Sequence, residues 1–139
     1  MSEMDNARIV RETLSAYVRG DLQTVLNHFS DDIELQVSLP RELVPWGGDR
    51  RGKTELVECL AGLAEIRQRE QFEPREFIAQ GDQVAVVGFE RWLVKSTGRT
   101  VDNNWVMIFT VRKGQVMRIR VFEDTAKIIA ALRGGEGRC

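Results

Sequence analysis

Two glutamates, Glu90 and Glu123, fall on strand-like runs that also carry Trp92, Asn103, Trp105, Met107, Ile119 and Val121. A carboxylate enclosed by tryptophans is poorly hydrated when charged, so its pKa rises and it can take or give a proton near neutrality. Whether these residues meet depends on register, because successive side chains on a strand point to opposite faces. A tight turn at Thr97-Gly98 pairs residues whose numbers sum to about 195, which puts Trp105 on one face with Glu90 and Trp92. A three-residue turn at Arg112-Lys113-Gly114, with Gly114 left-handed, pairs numbers summing to about 226. Ile119, Val121 and Glu123 then share the face of Asn103, Trp105 and Met107. A two-residue turn at Lys113-Gly114 would flip the last strand and remove Glu123 from the set. Either glutamate could also sit at a rim or pair with an arginine.

Other chemistry finds less support. Gly47-Gly48-Asp49-Arg50-Arg51-Gly52-Lys53-Thr54 matches a phosphate-loop pattern. That pattern needs a buried parallel strand before it, and Leu39 to Trp46 carries two prolines and two charges, so a glycine turn capping a helix is the better reading. His28 is the one histidine, and Cys59 and Cys139 lack metal-ligand spacing, so no metal and no cofactor are expected. The 20 Lys and Arg against 21 Asp and Glu leave a net charge of −1, which argues against nucleic acid as a partner. No apolar run reaches membrane-span length, and the polar start, Met1 to Asn6, is unlike a secretory signal, so a cytoplasmic protein off the membrane is expected.

The elements that must position these residues follow from periodicity. Residues 3–19 carry Ala7, Val10, Leu14, Tyr17 and Val18 on one helical stripe, ended by Gly20. Asp21 caps a second helix reaching about Phe29. Ser30-Asp31-Asp32 reads as a turn, and Ile33, Leu35 and Val37 alternate with polar residues as a short strand. Residues 40–52 read as a loop, 53–67 as a third helix, and 72–79 as a strand broken early by Pro74. Long strands at 83–95, 101–111 and 115–122 and a short helix after Glu123 complete one domain over residues 1–133. Gly134, Gly135 and Gly137 suggest a flexible tail, 134–139. The expected class is α+β: a cone-shaped, curved antiparallel sheet wrapped around the N-terminal helices, with an internal pocket.

Gly20-Asp21-Leu22, Phe29-Ser30-Asp31-Asp32-Ile33, Gly52-Lys53-Thr54-Glu55-Leu56-Val57, the run from Trp105 to Val116, and Phe122-Glu123-Asp124-Thr125 together resemble the SnoaL-like branch of the nuclear-transport-factor-2-like superfamily. The resemblance spans about Ala7 to Leu132. It implies the cone fold and an activity among ketosteroid isomerases, polyketide cyclases, epoxide hydrolases or non-catalytic modules. Carried over position by position, the isomerase tyrosine, base and oxyanion-binding acid fall at Thr13, Val37 and Met107; Thr13 and Met107 are poor substitutes, which argues against steroid isomerisation of that type. The acidic residue that some cyclases use falls near Glu123. The epoxide-hydrolase Asp-Arg-Asp arrangement is not recognisable.

Two functions remain open on these residues. One is a cyclase- or isomerase-type enzyme, with Glu123 or Glu90 abstracting a proton beside a carbonyl, Trp46, Trp92 and Trp105 packing a small apolar molecule, and Asn103 orienting an oxygen. The other is a non-catalytic ligand-binding or dimerisation module. In both cases the resemblance implies a homodimer through the outer sheet face, where Val106, Ile108, Arg118, Arg120 and Phe122 fall.

Overall fold

The computed structural model describes residues 2–133, so the expected tail and Cys139 lie outside the described residues. Helix α1 (Glu3–Arg19) starts with a capping box: the Ser2 hydroxyl accepts from the Asp5 N–H, and the Asp5 carboxylate accepts from the Ser2 N–H. It stops where Gly20 turns left-handed, φ 75°. Asp21 then caps α2 (Leu22–Asn27), accepting from the N–H and hydroxyl of Thr24. Strand β1 (Phe29–Val37) follows at once. The turn expected at Ser30-Asp31-Asp32 is not a turn; it is the stretch of β1 where pairing to its neighbour shifts register.

The loop expected over 40–52 contains a short strand, β2 (Gly48–Arg51), which leads into α3 (Gly52–Ile66). Strand β3 (Arg67–Gln80) begins where the third helix was expected to end and runs straight through Pro74. Proline is tolerated there because β3 is an edge strand, with register shifts on either side. Strands β4 (Gln83–Val94), β5 (Thr100–Arg112) and β6 (Gln115–Phe122) and helix α4 (Thr125–Leu132) complete the domain.

The fold is α+β: one open six-stranded sheet in the order β2-β1-β6-β5-β4-β3, curved around the helices. All neighbours are antiparallel except β1 and β6, which run parallel. This pairing is possible because the long excursion through α3 to β5 separates the two strands. The core fills the space between the inner sheet face and the helices, with Val10, Ile33, Val84, Trp92, Trp105 and Phe109 among its fully buried side chains.

Both expected hairpin turns are corrected, and in each the inward-facing residues keep their face. Between β4 and β5 the chain forms a four-residue loop, Lys95 to Gly98, closed by Val94 N–H donating to Arg99 O. Pairing shifts by two residues, so Glu90 lies opposite Asn103 rather than Trp105. Between β5 and β6 the turn has two residues, Lys113 (φ 52°) and Gly114 (φ 77°), both left-handed as a tight hairpin of matching twist requires. On its own it would turn Glu123 outward. A bulge at Met117, between the pairs Val111–Val116 and Thr110–Arg118, adds one residue and restores the face.

Candidate ligand cavity and its carboxylates

Glu90 on β4 and Asn103 on β5 are cross-strand partners facing inward, 4% and 0% exposed. Glu123 follows β6 and arrives on the same side. The Asn103 amide joins them: its Nδ2 donates to Glu90 Oε2 at 2.8 Å and to Glu123 Oε1 at 2.9 Å. Its Oδ1 accepts from the Asp124 backbone N–H at 2.9 Å. That backbone donor fixes which way round the amide sits, since only the oxygen can accept from it. Both amide hydrogens are therefore committed to the two carboxylates.

Two further groups reach the cluster. Arg67, at the start of β3, points inward and donates from Nη1 to Glu90 Oε2 at 3.3 Å. Its guanidinium lies over Trp92, 4.7 Å from the ring centre, and near Trp46 at 5.5 Å. Trp46 donates from Nε1 to Glu123 Oε2 at 3.4 Å. The loop bearing Trp46 is held by Arg50, whose guanidinium donates to the carbonyls of Pro45, Trp46 and Gly47. Gly47 must be small, because a Cβ there would sit 2.3 Å from Leu39 O. These contacts account for the phosphate-loop pattern. Arg50 is spent on loop carbonyls, Lys53 pairs with Asp31, and the strand before α3 is antiparallel to its neighbour.

Burial pushes the Glu123 carboxyl above its ordinary range. The Arg67 charge opposes this, the neighbouring Glu90 adds to it, and the bonds from Asn103 and Trp46 oppose it again; burial prevails. The cluster therefore holds one carboxylate paired with an arginine and a second whose proton is retained to higher pH, a division suited to acid–base work.

Glu123, Glu90, Arg67 and Trp46 border a cavity of about 120 Å³ between sheet and helices. Its other walls are Thr13, Leu14 and Tyr17 from α1, Leu56, Cys59, Leu60 and Leu63 from α3, and Phe72, Trp105, Met107, Ile119 and Val121 from the sheet. Phe72 stacks on Trp105 at 5.0 Å, and Tyr17 meets Phe72 edge-on at 5.6 Å. Val37, Trp46, Trp105, Met107, Ile119, Val121, Glu90 and Glu123 are on this wall. Trp92 and Asn103 are not. Trp92 lies behind the wall, edge-on to Trp46 at 5.7 Å and under Arg67. Asn103 has no hydrogen left to orient a ligand oxygen, so its role is to hold the carboxylates.

The sequence reading missed Arg67 and Phe72. Arg67 opens a run of charged and amide residues, Arg67 to Gln71, that reads as solvent-facing. Nothing local shows that β3 already starts there and points Arg67 inward beside Val94.

A family profile described as the SnoaL-like domain matches residues 10–119. The chain belongs to the SnoaL-like family. A nuclear-transport-factor-2-like protein of Burkholderia xenovorans is 38% identical, with a TM-score of 0.85 and coverage of 95% of this chain and 98% of that one. A second such protein, from Burkholderia pseudomallei and described as of unknown function, is 26% identical, with a TM-score of 0.83 and coverage of 95% and 98%. An uncharacterised protein of Mycobacterium tuberculosis is 25% identical over 122 residues, 88% of this chain and 91% of its own.

Within this SnoaL-like chain, Thr13, Val37 and Met107 all line the cavity. The Thr13 hydroxyl donates to the Ile9 carbonyl at 2.8 Å and has no second hydrogen to offer. The carboxyl groups that line the cavity are those of Glu90 and Glu123. Among the described residues, no helix is long and apolar enough to cross a membrane.

Proposed function

We propose that this SnoaL-like protein binds a small, largely apolar molecule in the cavity and that Glu123 moves a proton on it, in the manner of an isomerase or cyclase. The observation that carries this reading is a cavity-lining carboxyl, raised in pKa by burial and held between Asn103 and Trp46. In the forward step Glu123 takes a proton from a carbon beside a carbonyl. The C–H bond breaks, an O–H bond forms on Glu123, and the electron pair moves onto the carbonyl oxygen. Return of the proton to the same or a conjugated carbon completes the exchange. Glu90, already engaged by Arg67 and Asn103, sets the field in which Glu123 titrates.

Native mass spectrometry of the purified protein, followed by denaturation, identifies any small molecule carried along. The identified compound, or a panel of one-ring ketones where the cavity is empty, is then incubated in deuterated water. Glu123-dependent exchange of the hydrogen beside the carbonyl is expected, with at least a tenfold loss in Glu123→Gln. Equal exchange in Glu123→Gln and Glu90→Gln would remove the catalytic role and leave a binding module.

A second reading concerns assembly. Phe122 is 40% exposed on the outer sheet face, opposite Val106, with Ile108 beside them and Arg120 stacked against the Phe122 ring. A homodimer through this face would cover that apolar strip. Sedimentation at micromolar concentration is expected to give a dimer and Phe122→Asp a monomer; a monomeric parent protein would end this reading. Location in the cytoplasm belongs with these proposals.

A further inference from the structure

We infer that the cavity takes a one-ring-sized molecule bearing an anionic oxygen, gripped by the Arg67 guanidinium and the Trp105 indole N–H. This rests on the reading that the cavity is the ligand site, and it adds the class of ligand.

The first observation is unspent donor capacity on a buried cation. Arg67 is 9% exposed, yet its side chain makes one hydrogen bond among the described residues, the 3.3 Å contact to Glu90. Guanidinium carries five N–H donors and stays protonated. The remaining ones, on a side chain that lines the cavity, are free to meet an acceptor there. The planar fork suits an anionic oxygen better than a neutral one.

The second observation is independent. Trp105 is 1% exposed, lines the same cavity, and its Nε1 is buried without a hydrogen-bond partner among the described residues. The ring position is built into the fold: Phe72 stacks on one side, and a Cβ at Gly88 would lie 2.3 Å from Cζ2. An indole N–H donates only, so it too asks for an acceptor.

Charge and size narrow the choice. Of the two rings that could hold an organic cation, Trp92 lies behind the cavity wall and Trp46 already has Arg67 near its face. A cavity of about 120 Å³ is close to one of about 150 Å³ that holds benzene, so a single ring fits where several fused rings would not. A carboxylate and an enolate share the required chemistry, and the enolate is the charge distribution that proton removal by Glu123 creates.

The test is a titration of the protein by calorimetry with two isosteric pairs: benzoate against benzamide, and the cyclohexane-1,3-dione enolate against 3-aminocyclohex-2-enone. At least one anion is expected to bind tenfold or more tightly than its neutral partner. Preference for benzoate alone assigns a carboxylate, and preference for the dione enolate alone assigns an enolate. The double variant Arg67→Met, Glu90→Gln removes both members of the ion pair together, so neither is left buried without the other. It is expected to abolish the preference while still binding benzamide. If it does not fold, Arg67→Lys, which keeps charge but loses the fork, is expected to cut the preference at least threefold. Trp105→Phe, lacking only the indole donor and part of the ring, should weaken the anion more than the neutral partner. Equal binding of anion and neutral compound, or a preference that survives loss of the Arg67 fork, overturns the inference while leaving the ligand-cavity reading in place. Failure of all four compounds to bind overturns both.

Discussion

Two adjacent rungs of the β4–β5 ladder carry polar pairs. On the outer rung Arg91 meets Asp102 with Nε–Oδ1 at 2.6 Å and Nη2–Oδ2 at 3.1 Å, a bidentate pair of full opposite charges. On the inner rung Glu90 meets Asn103 through one amide hydrogen at 2.8 Å. By geometry and charge the outer pair is the stronger contact. Water reverses the ranking. Arg91 and Asp102 are about half exposed, so water and salt replace whatever the pair gives up when it breaks. Glu90 and Asn103 are sealed, so every lost bond leaves a buried group unsatisfied. The comparison teaches that one side-chain step along a strand, with nothing else changed, decides whether a polar pair is decorative or indispensable.

The sharpest break is Asn103→Leu. It removes the donor to both glutamates and the acceptor for Asp124 N–H. Urea unfolding is expected to show a loss of about 3 kcal/mol or more, the scale of breaking a buried charged network. A loss comparable to that of an outer-rung variant would mean that the inner rung is hydrated after all.

Gly88→Ala tests how tightly the next inward-facing rung, Gly88–Trp105, is packed, since the new Cβ meets the Trp105 ring. About 1–3 kcal/mol of destabilisation is expected, as for other overpacked cores, with a shift in tryptophan fluorescence as the ring leaves Phe72. Unchanged stability and fluorescence would show that the ring is free to move.

Glu123→Gln sharpens the comparison through pH. The folded-state pKa of Glu123 lies above its ordinary value of 4.5, so the folded protein holds this proton more tightly than the unfolded chain does. The stabilisation is complete below that ordinary value and is lost as pH rises through the raised one. Thermal unfolding from pH 4.5 upward should therefore show the parent losing ground to Glu123→Gln, by about 1.4 kcal/mol for each pH unit of the displacement. Parallel curves would place the carboxylate in contact with water.

The smallest effect is expected outside. Asp102→Ala should leave the denaturation midpoint within error, and any difference should vanish in high salt. A clear, salt-resistant loss would erase the distinction between the two faces.

Much of the site was legible because alternation on a strand is a strict rule. Once parity is right, Glu90, Trp105, Met107, Ile119, Val121 and Glu123 share a face whatever the exact partners. Parity survived two wrong turns. A shift of two residues between β4 and β5 leaves faces unchanged, and the Met117 bulge cancels the flip that the Lys113-Gly114 turn introduces. That bulge has no signature in the residues around it. Arg67 was illegible for a different reason: its neighbours are polar, and only a helix ending at Ile66 and an edge strand starting at once turn it inward.

By itself, the sequence determined the α+β class, the order of helices and strands apart from the short β2, and the apolar-in, polar-out faces, since each follows from local periodicity, caps and breakers. Tertiary structure alone decided the parallel pairing of β1 with β6, the meeting of Arg67 with Glu90, and the commitment of Asn103 to two carboxylates. Those depend on contacts between segments far apart in the chain. Their outcome is fixed by which polar groups must be satisfied once water is excluded, a condition that exists only in the packed protein.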